Sequence, residues 1–292
     1  MKNTKIVFFG SDSWSIHVLK ALEDNFEIIA VVTAPNSPVS NYFKGLSLTP
    51  DKLDENFNSH LSILNCQLFV VASYGKIIPK SILDIPKYGA LNVHPSLLPK
   101  YRGPSPVPAT ILNGDKETGV TIIKMDKKMD HGSIVSTKKL KLSGQEDFTT
   151  LINKLFQLGA EILVDIIPDF IAGKLKLKRQ NNARVVFCPM LKKEDGYFDI
   201  NDPLSSEKLD RIIRAYHPWP GVWTRWNAKI VKFLPIPRHS EFISESLKEI
   251  LKQVQDDDEF LIQMEGKKPI PLKDFLNGYP DFPLKSITID KK

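Results

Sequence analysis

The stretch KIVFFGSDSWSIHVLKALEDNFEIIAVVT, residues 5–33, decides the fold class because it reads as a strand, a helix and a second strand. Its two apolar runs, KIVFF and EIIAVVT, have the length and continuity of strands that are buried on both faces. Between them Trp14, Val18 and Leu22 share one face of a helix, and Ser13 is placed to cap its start. This pattern predicts a Rossmann-like, open and mostly parallel sheet flanked by helices.

Further apolar runs predict additional strands of the same domain. They are LFVVASYG, GALNVH, TGVTIIKMD and SIVSTKKLKL, at residues 68–75, 89–94, 118–126 and 133–142. A long amphipathic stretch, residues 148–173, follows and predicts a helix that Gly173 ends. We therefore expect residues 1–180 to form one α/β domain.

The composition changes after this helix. We expect residues 181–204 to be a linker and residues 205–292 to be a second domain. The second domain begins with one amphipathic helix and continues in short apolar runs, which predict a small, OB-like β-barrel. Residues 237–259 interrupt these runs and read as an insertion; the segment from 238 to 259 holds 3 basic and 7 acidic residues.

The composition also excludes several classes of protein. No apolar run approaches the roughly 18–20 residues of a membrane span, and the presence of only two cysteines favours a location in the reducing cytoplasm. Only Gly10 follows the first strand, so GxGxxG is missing, and no GxxxxGK[ST] phosphate loop occurs. Cys66 and Cys188 lie far apart, which argues against a disulfide framework or a zinc site. The net charge of +6 suits a polyanion such as RNA, but a basic protein without such a partner fits it equally well.

The segment NVHPSLLPKYRG, residues 92–103, holds the candidate chemistry. Asn92 and His94 stand two residues apart on a predicted strand, so their side chains point to the same side at the end where open parallel sheets bind ligands. Asp130 follows a later strand and would approach His94 if the two strands were neighbours. Such a carboxylate would fix the imidazole tautomer, and the amide could stabilise an oxyanion. The trio then suits direct acyl transfer between two nitrogens, although a lone Asn-x-His is more often a pair of satisfied polar residues.

The segment NVHPSLLPKYRGPSPVPATILNGDKETGVTIIKMDKKMDHG, residues 92–132, closely resembles the 10-formyltetrahydrofolate-dependent formyltransferases. IIRAYHPWPGVWT, residues 212–224, extends the likeness, which covers nearly the whole chain. The resemblance implies that Asn92 and His94 stabilise the oxyanion on the formyl carbon and that Asp130 orients His94. It also implies a folate co-substrate, no metal, and a folate site formed by Ser96, Leu97, Leu98 and Pro99, with the pterin ring beside Tyr74, Gly75 and Ile78.

Within that family, the chain resembles the members that formylate methionine carried by initiator tRNA. The resemblance implies a tRNA partner and, as candidate contacts, Lys44, Lys100, Arg102, Lys192 and Lys193; we expect a monomer. One departure concerns the loop at residues 34–50, which is usually basic in this group but here holds a single cation, Lys44. Two alternatives stay open, namely an acceptor that is an amino sugar nucleotide and a non-catalytic tRNA-binding relative.

Overall fold

A computed structural model describes residues 4–202, 204–236 and 260–286. The insertion expected at residues 237–259 lies outside the described residues. These residues divide into two compact units: the first takes residues up to 107, 116–142 and 150–189, and the second takes 108–115, 143–149 and those from 190 onward. None of the described helices has the length and apolar character that crossing a membrane requires.

The first unit is built on a seven-stranded sheet. Its strands and those of a small two-stranded sheet are Lys5–Phe9 (β1), Glu27–Val32 (β2), Ser47–Leu48 (β3), Leu68–Val71 (β4), Ala90–His94 (β5), Lys100–Arg102 (β6), Glu117–Lys124 (β7), Ser133–Lys141 (β8) and Val186–Phe187 (β9). The large sheet has the order β3-β2-β1-β4-β5-β7-β8. Its first five strands run parallel, whereas β7 and β8 pair in antiparallel fashion. The mostly parallel sheet predicted from the sequence is confirmed.

Helices cover both faces of this sheet. The first six helices of the chain are Ser15–Asn25 (α1), Pro38–Tyr42 (α2), Glu55–Ile63 (α3), Lys80–Leu83 (α4), Pro106–Leu112 (α5) and Phe148–Ile171 (α6), of which α5 belongs mostly to the second unit. Phe57 of α3 and Ile82 of α4 join Phe9 and Phe69 of the strands in one apolar cluster. On the opposite face α6 lies against Val93 and Val120. Burying each large apolar side chain contributes about 1.5–3 kcal/mol, so the two layers fix the strands that carry the site.

Three details differ from the expectations. The first helix begins at Ser15 without a side-chain cap, so the predicted cap at Ser13 is wrong; the hydroxyl of Ser15 instead donates to the carbonyl of Asp12 at 2.6 Å. The stretch at residues 34–50 is not a plain loop, because it contains α2 and β3. The expected linker is partly ordered within the first unit, since β9 pairs with β6.

The second unit holds an antiparallel sheet. Its elements are Ser206–Tyr216 (α7), Val222–Trp226 (β10), Lys229–Pro235 (β11), Phe260–Met264 (β12), Ile270–Pro271 (β13) and Leu272–Gly278 (α8). The four strands pair in chain order. Phe233 contacts Phe198 and Phe260 through ring centroids 5.1 and 5.6 Å apart, which forms the centre of its core. The second domain expected from the sequence is thus a four-stranded antiparallel sheet in the described residues, and the OB-like barrel stays a prediction.

Candidate active site

Asn92 and His94 lie at the carboxyl end of β5. The two residues pair with Ile123 and Thr121 of β7, so β5 and β7 are direct neighbours. His94 is buried, with 4% of its surface exposed, whereas Asn92 remains partly accessible. This neighbouring arrangement is the condition under which the sequence predicts that Asp130 approaches His94.

Asp130 lies in the turn between β7 and β8 and meets both residues. Its Oδ1 atom lies 3.5 Å from Nδ2 of Asn92 and 3.6 Å from Nδ1 of His94. Its Oδ2 atom accepts a 2.8 Å hydrogen bond from the backbone N–H of Gly103. The amide, the imidazole and the carboxylate thus come together at one sheet edge, although Asp130 follows the other two by more than thirty-five residues.

The tautomer of His94 is set by a different group from the one that the sequence suggests. Nε2 of His94 lies 2.8 Å from the carbonyl oxygen of Tyr101. A carbonyl can only accept, so Nε2 carries the hydrogen and donates it. The 3.6 Å separation from Asp130 is too long for a hydrogen bond. Tyr101 therefore orients the ring, and Nδ1 is left facing Asp130 and the space beside it.

The loop at residues 96–99 holds the Tyr101 carbonyl in place. The hydroxyl of Thr121 donates to the carbonyl of Ser96 at 2.7 Å and accepts from the N–H of Leu98 at 3.1 Å. The hydroxyl of Ser96 donates to the carbonyl of Lys100 at 2.7 Å, and the N–H of Lys100 donates to the carbonyl of Leu97. These bonds engage the carbonyl groups of Ser96 and Leu97 and the N–H of Leu98, and they stabilise the loop itself. Binding of folate by Ser96 to Pro99 stays a prediction.

Two glycines allow the close approaches around Asp130. A Cβ atom on Gly103, which has φ +119°, would lie 2.2 Å from the carbonyl oxygen of Cys188. A Cβ atom on Gly132 would lie 2.0 Å from the carbonyl oxygen of Lys124. A Cβ atom at either position would collide with a backbone carbonyl group, which cannot move away as a flexible side chain could. The two segments that hold Asp130 therefore require glycine at these points.

Residues 74–78, expected beside the pterin ring, contain a buried polar atom and open space. The hydroxyl of Tyr74 is buried without a hydrogen-bond partner among the described residues, and burial raises the pKa of this group to about 12. Around Gly75, no atom lies within 4 Å of the position that a Cβ would take. Ile78 is buried in the adjoining apolar cluster. A buried hydroxyl donor without a described partner is a group that a ligand acceptor could satisfy.

Comparison with known proteins agrees with this geometry. Residues 4–167 match the model of the formyl transferase family, and residues 190–280 match that of the formyl transferase C-terminal domain. The chain belongs to the formyl transferase family. Both matches together leave few residues of this formyl transferase uncovered.

Three relatives show how close the likeness is. A methionyl-tRNA formyltransferase of Caldanaerobacter subterraneus is 34% identical over 94% of this chain and 97% of its own length. The structure of a methionyl-tRNA formyltransferase from Clostridium thermocellum has a TM-score of 0.60 at 19% identity, over 92% of this chain and 99% of that one. The structure of an N-formyltransferase from Helicobacter canadensis, in complex with folinic acid and dTDP-3-aminofucose, has a TM-score of 0.61 at 18% identity, over 92% and 98% of the two chains. At these identities the two structures show that the formyl transferase shares their fold.

Arg102 is not at the surface, where a contact with tRNA would require it to be. We expected an exposed loop cation that grips phosphate, but Arg102 is buried, with 4% of its surface exposed. Burial lowers the pKa of its guanidinium, against the opposite effect of Asp130 and Asp126. Its N–H groups donate to Oε1 of Gln180 at 2.9 and 2.7 Å and to Oδ1 of Asn182 at 3.0 Å. The burial of Arg102 and the engagement of three of its N–H groups argue against phosphate binding by this residue, and its contact with tRNA stays a prediction.

The other predicted tRNA contacts are compatible with a role at the surface. Lys44 is exposed and donates to the carbonyl of Asn41 at 3.0 Å. The ammonium group of Lys100 lies 4.5 Å from the centre of the Tyr101 ring. Lys192 and Lys193 are exposed residues of the second unit. Their contacts with tRNA stay predictions.

The side chain of Trp219 lies at the surface of the second unit. Its ring is 58% exposed. It belongs to the turn-rich HPWPG motif that joins α7 to β10. An indole at this exposure contributes little to the core.

Reasoning from the sequence missed a basic segment next to the site. Residues 170–189 contain no Asp or Glu, but they contain five cations, Lys174, Lys176, Lys178, Arg179 and Arg184. In the first unit, the backbone of Lys178 exchanges hydrogen bonds of 2.8 and 2.9 Å with Ile134, just after the Asp130 turn. Phe187, in the same segment, is 70% exposed and pairs with Arg102 across the small sheet. The absence of any acid over this length was the available signal.

No nucleophilic thiol is available beside Asp130. Cys188 is buried against the same backbone, and its Sγ atom lies 3.3 Å from the carbonyl oxygen of Arg102. Burial raises the pKa of this thiol to about 11, so it is protonated near neutral pH and is a poor nucleophile. Among the described residues, no three His, Cys, Asp or Glu side chains are grouped so that they could hold a metal ion.

We expect both cysteines to resist alkylation in the folded protein. Burial raises the pKa of Cys66, like that of Cys188, to about 11, so about 0.1% of either thiol is ionised at pH 8. Mass spectrometry after brief treatment with iodoacetamide at pH 8 should find neither residue labelled, and both labelled in denaturant. Unfolded thiols ionise at lower pH than these buried ones. The higher pKa of the buried thiols therefore stabilises the folded state fully below the ordinary thiol pKa, and this stabilisation is lost as the pH rises towards 11. Rapid labelling of Cys188 in the native protein would contradict the assignment.

Proposed function

We propose that this formyl transferase moves a formyl group from 10-formyltetrahydrofolate to the α-amino group of methionine on initiator tRNA. The observation that carries the proposal is the approach of Asp130 to within 3.6 Å of both Asn92 and His94 at the carboxyl end of β5. The curated relatives that share about a third of their residues with the chain are named methionyl-tRNA formyltransferases. In this role the chain would act as a monomer in the cytoplasm.

The division of labour follows the two units. Residues of the first unit would form the catalytic domain, corresponding to the expected domain at 1–180 extended to 189. The second unit, which includes the expected domain at 205–292, would contribute to tRNA binding. Support for this comes from the separate family models that match residues 4–167 and 190–280.

The chemistry needs an acceptor for a proton and a donor for an oxyanion. The neutral amine attacks the formyl carbon, and the electron pair of its C=O bond moves to oxygen. An unperturbed α-amino group has a pKa of about 7.7–8.0, so an appreciable fraction is neutral at pH 7. The tetrahedral intermediate then collapses as the bond to the folate nitrogen breaks and that nitrogen gains a proton. No covalent intermediate on the protein is required.

Each residue of the trio has a role in this sequence. Asn92 directs one N–H of its amide towards Asp130 and keeps the other for the formyl oxygen, where negative charge develops. Asp130 and Nδ1 of His94 face the same space and can take the proton that leaves the amine. Tyr101 keeps the proton of His94 on Nε2, so the imidazole presents one defined nitrogen to the reaction.

Folate would bind beside residues 74–78. The buried hydroxyl of Tyr74 would donate to a ring acceptor, and the space at Gly75 would admit the flat pterin. Pro99 and the loop before it would position the site through the Tyr101 carbonyl. The Helicobacter canadensis relative was crystallised with folinic acid, a compound of the same class.

An RNA acceptor suits the basic segment at residues 174–187. No ion pair is described for Lys176, Lys178, Arg179 or Arg184 among the residues that the structure covers. Unpaired cations beside an exposed aromatic ring are typical of surfaces that hold single-stranded nucleic acid, in which phosphates meet cations and bases stack. The segment adjoins the Asp130 turn, where the 3′ end of an aminoacyl-tRNA has to be for its amine to react.

The acceptor can be identified directly. The purified chain is incubated with 10-formyltetrahydrofolate and either charged initiator tRNA or an amino sugar nucleotide, and the N-formyl product is measured. We expect formylmethionyl-tRNA alone. Formylation of the sugar amine alone would favour the amino sugar alternative, and tRNA binding without any product would favour the non-catalytic one.

Removing charge from the basic segment should weaken binding of tRNA but not of folate. In the double variant Lys178→Gln, Arg179→Gln, two cations beside the Asp130 turn are lost. We expect the KM for methionyl-tRNA to rise several-fold and the slope of log KM against log salt concentration to fall by about 1 for each phosphate contact removed. The KM for folate and kcat should change less than about twofold, because neither cation meets the reacting atoms.

The matched control is Lys138→Gln, Lys139→Gln on β8, which removes the same charge from exposed lysines of the same unit. These lysines already pair with Glu161 and Glu117, so we expect them to contribute little to RNA binding. Equal salt slopes for the two double variants would show that residues 178 and 179 do not contact the RNA.

A further inference from the structure

The backbone of Asp130 has a conformation that needs external support. Its φ is +48°, in the left-handed region that residues other than glycine seldom adopt. The direction of its carboxylate depends on this backbone, because the side chain is short. The carboxylate must at once accept from Gly103 and face Asn92 and His94. A small rotation of the turn would break that arrangement.

Gln180 bonds directly to this backbone. Its Nε2 group donates to the carbonyl of Asp130 at 2.8 Å and to the carbonyl of Gly132 at 2.8 Å. Both hydrogens of the amide are thereby used on the carbonyls of Asp130 and Gly132. This geometry holds the peptide plane that follows Asp130 and the one that follows Gly132 in fixed orientations.

Arg102 fixes the direction of the Gln180 amide. Oε1 of Gln180 accepts from Nε and Nη2 of Arg102 at 2.9 and 2.7 Å. A guanidinium can only donate, so it selects the amide orientation that leaves Nε2 towards the Asp130 turn. Because Arg102 is buried, these bonds are sheltered from competing water. The buried cation therefore acts on Asp130 through an intervening amide.

We propose that Gln180, oriented by Arg102, is the positioning residue that holds the Asp130 carboxylate in its reactive direction. The proposal rests on the function proposed above for Asp130. Gln180 does not touch the reacting atoms; its effect passes through the backbone of residues 130–132. A merely structural role, that of tying residues 180–182 to β6, is the competing explanation.

The pair Gln180→Glu and Asn182→Asp separates these explanations. Each variant adds one negative charge and keeps an oxygen acceptor for Arg102, because Asn182 also accepts from Arg102, at 3.0 Å. Only Gln180→Glu removes the two donors to the Asp130 turn. We expect kcat to fall by roughly 10- to 100-fold in Gln180→Glu, since small displacements of a catalytic group cost up to about 10² in rate, and less than about twofold in Asn182→Asp. Because each variant adds one negative charge to the basic segment, the KM for methionyl-tRNA should rise by a similar factor in both, whereas the KM for folate should stay within about twofold of that of the unmodified chain.

A double-mutant cycle tests whether Gln180 acts through Asp130. If it does, adding Gln180→Glu to Asp130→Asn should lower kcat by less than about threefold, because the group that it positions is already lost. A full additional 10- to 100-fold loss, or equal kcat for Gln180→Glu and Asn182→Asp, would overturn the proposal.

Hydrogen exchange gives a readout that does not depend on the acceptor. The N–H of Gly103 donates to Asp130, so its exchange should become at least about tenfold faster in Gln180→Glu and stay unchanged in Asn182→Asp. Unchanged exchange in both variants would refute the positioning role even if the chain formylated another amine. If Gln180→Glu does not fold, Gln180→Asn, which keeps the amide but shortens its reach, should give the same faster exchange.

Discussion

Replacing Asp130 with Asn is expected to lower kcat by roughly 10²- to 10⁴-fold, the range typical of removing a positioned acid–base group. Asn has nearly the same shape and tolerates the positive φ of this position, so the fold should be retained. The variant has no carboxylate to take the proton from the amine. In the wild-type site, the N–H of Gly103 donates to a carboxylate oxygen. In the variant, this N–H meets an amide, which presents either an oxygen that accepts or an NH₂ group that donates. The KM values should change little, since Asp130 acts mainly in the transition state.

Steady-state rates with saturating folate and charged tRNA measure this effect. Asp126→Asn is the control, because Asp126 lies in the same connection and pairs with the exposed His131 at 2.6 Å. Burial alone would raise the pKa of Asp126, but the hydrogen bonds from His131 and from the N–H of Lys128 outweigh it and lower the pKa. Its ionised form stabilises the fold above the ordinary pKa, and this effect is lost on acidification below the folded pKa. We expect less than about twofold loss of kcat in the control at pH 7. Turnover of Asp130→Asn within about threefold of the unmodified chain would remove the carboxylate from the mechanism.

Replacing Asn92 with Ala is expected to lower kcat by roughly 10²- to 10³-fold, which is the usual effect of losing one oxyanion donor. The side chain lies at the accessible end of β5, and its only described bond, to Asp130, is long at 3.5 Å. The substitution should therefore have a small effect on the free energy of unfolding. The rate falls because the charge that develops on the formyl oxygen is no longer matched by an amide N–H.

Thermal unfolding and kinetics have to be measured on the same preparation. Asn25→Ala serves as a matched loss of one amide, because Asn25 only donates to the helix carbonyl of Ala21, at 2.9 Å. We expect its kcat to equal that of the unmodified chain. If Asn92→Ala kept normal turnover, or lost activity only in proportion to its unfolded fraction, the oxyanion would have to be stabilised by another donor.

Much of the site was predictable because it depends on local periodicity. Asn92 and His94 share a side of β5 as a consequence of the two-residue repeat of a strand. Their position at the carboxyl end follows from Pro95, which ends the apolar run. The approach of Asp130 was predictable only as a condition, and the antiparallel pairing of β5 with β7 fulfils it.

Neither the hydrogen-bond partner of His94 nor the burial of Arg102 could be predicted from local periodicity. Both depend on a loop that folds back on itself through Thr121 and on the pairing of β6 with β9. Arg102 and Gln180 are separated by 78 positions in the chain, and neither lies in a segment whose pattern points to the other. A cation in a polar loop looks exposed in the sequence whether or not a later segment covers it.

The amino-acid sequence alone determined the layered α/β fold, the candidate trio of Asn92, His94 and Asp130 and the family to which the chain is similar, because strand and helix periods and short motifs are local properties. Tertiary structure alone decided which nitrogen of His94 is free, that the charge of Arg102 is enclosed, and that Gln180 bonds to the Asp130 turn. These features arise from hydrogen bonds between segments that are far apart in the chain, and such bonds form only where the packed sheet brings specific donors and acceptors within about 3 Å of each other.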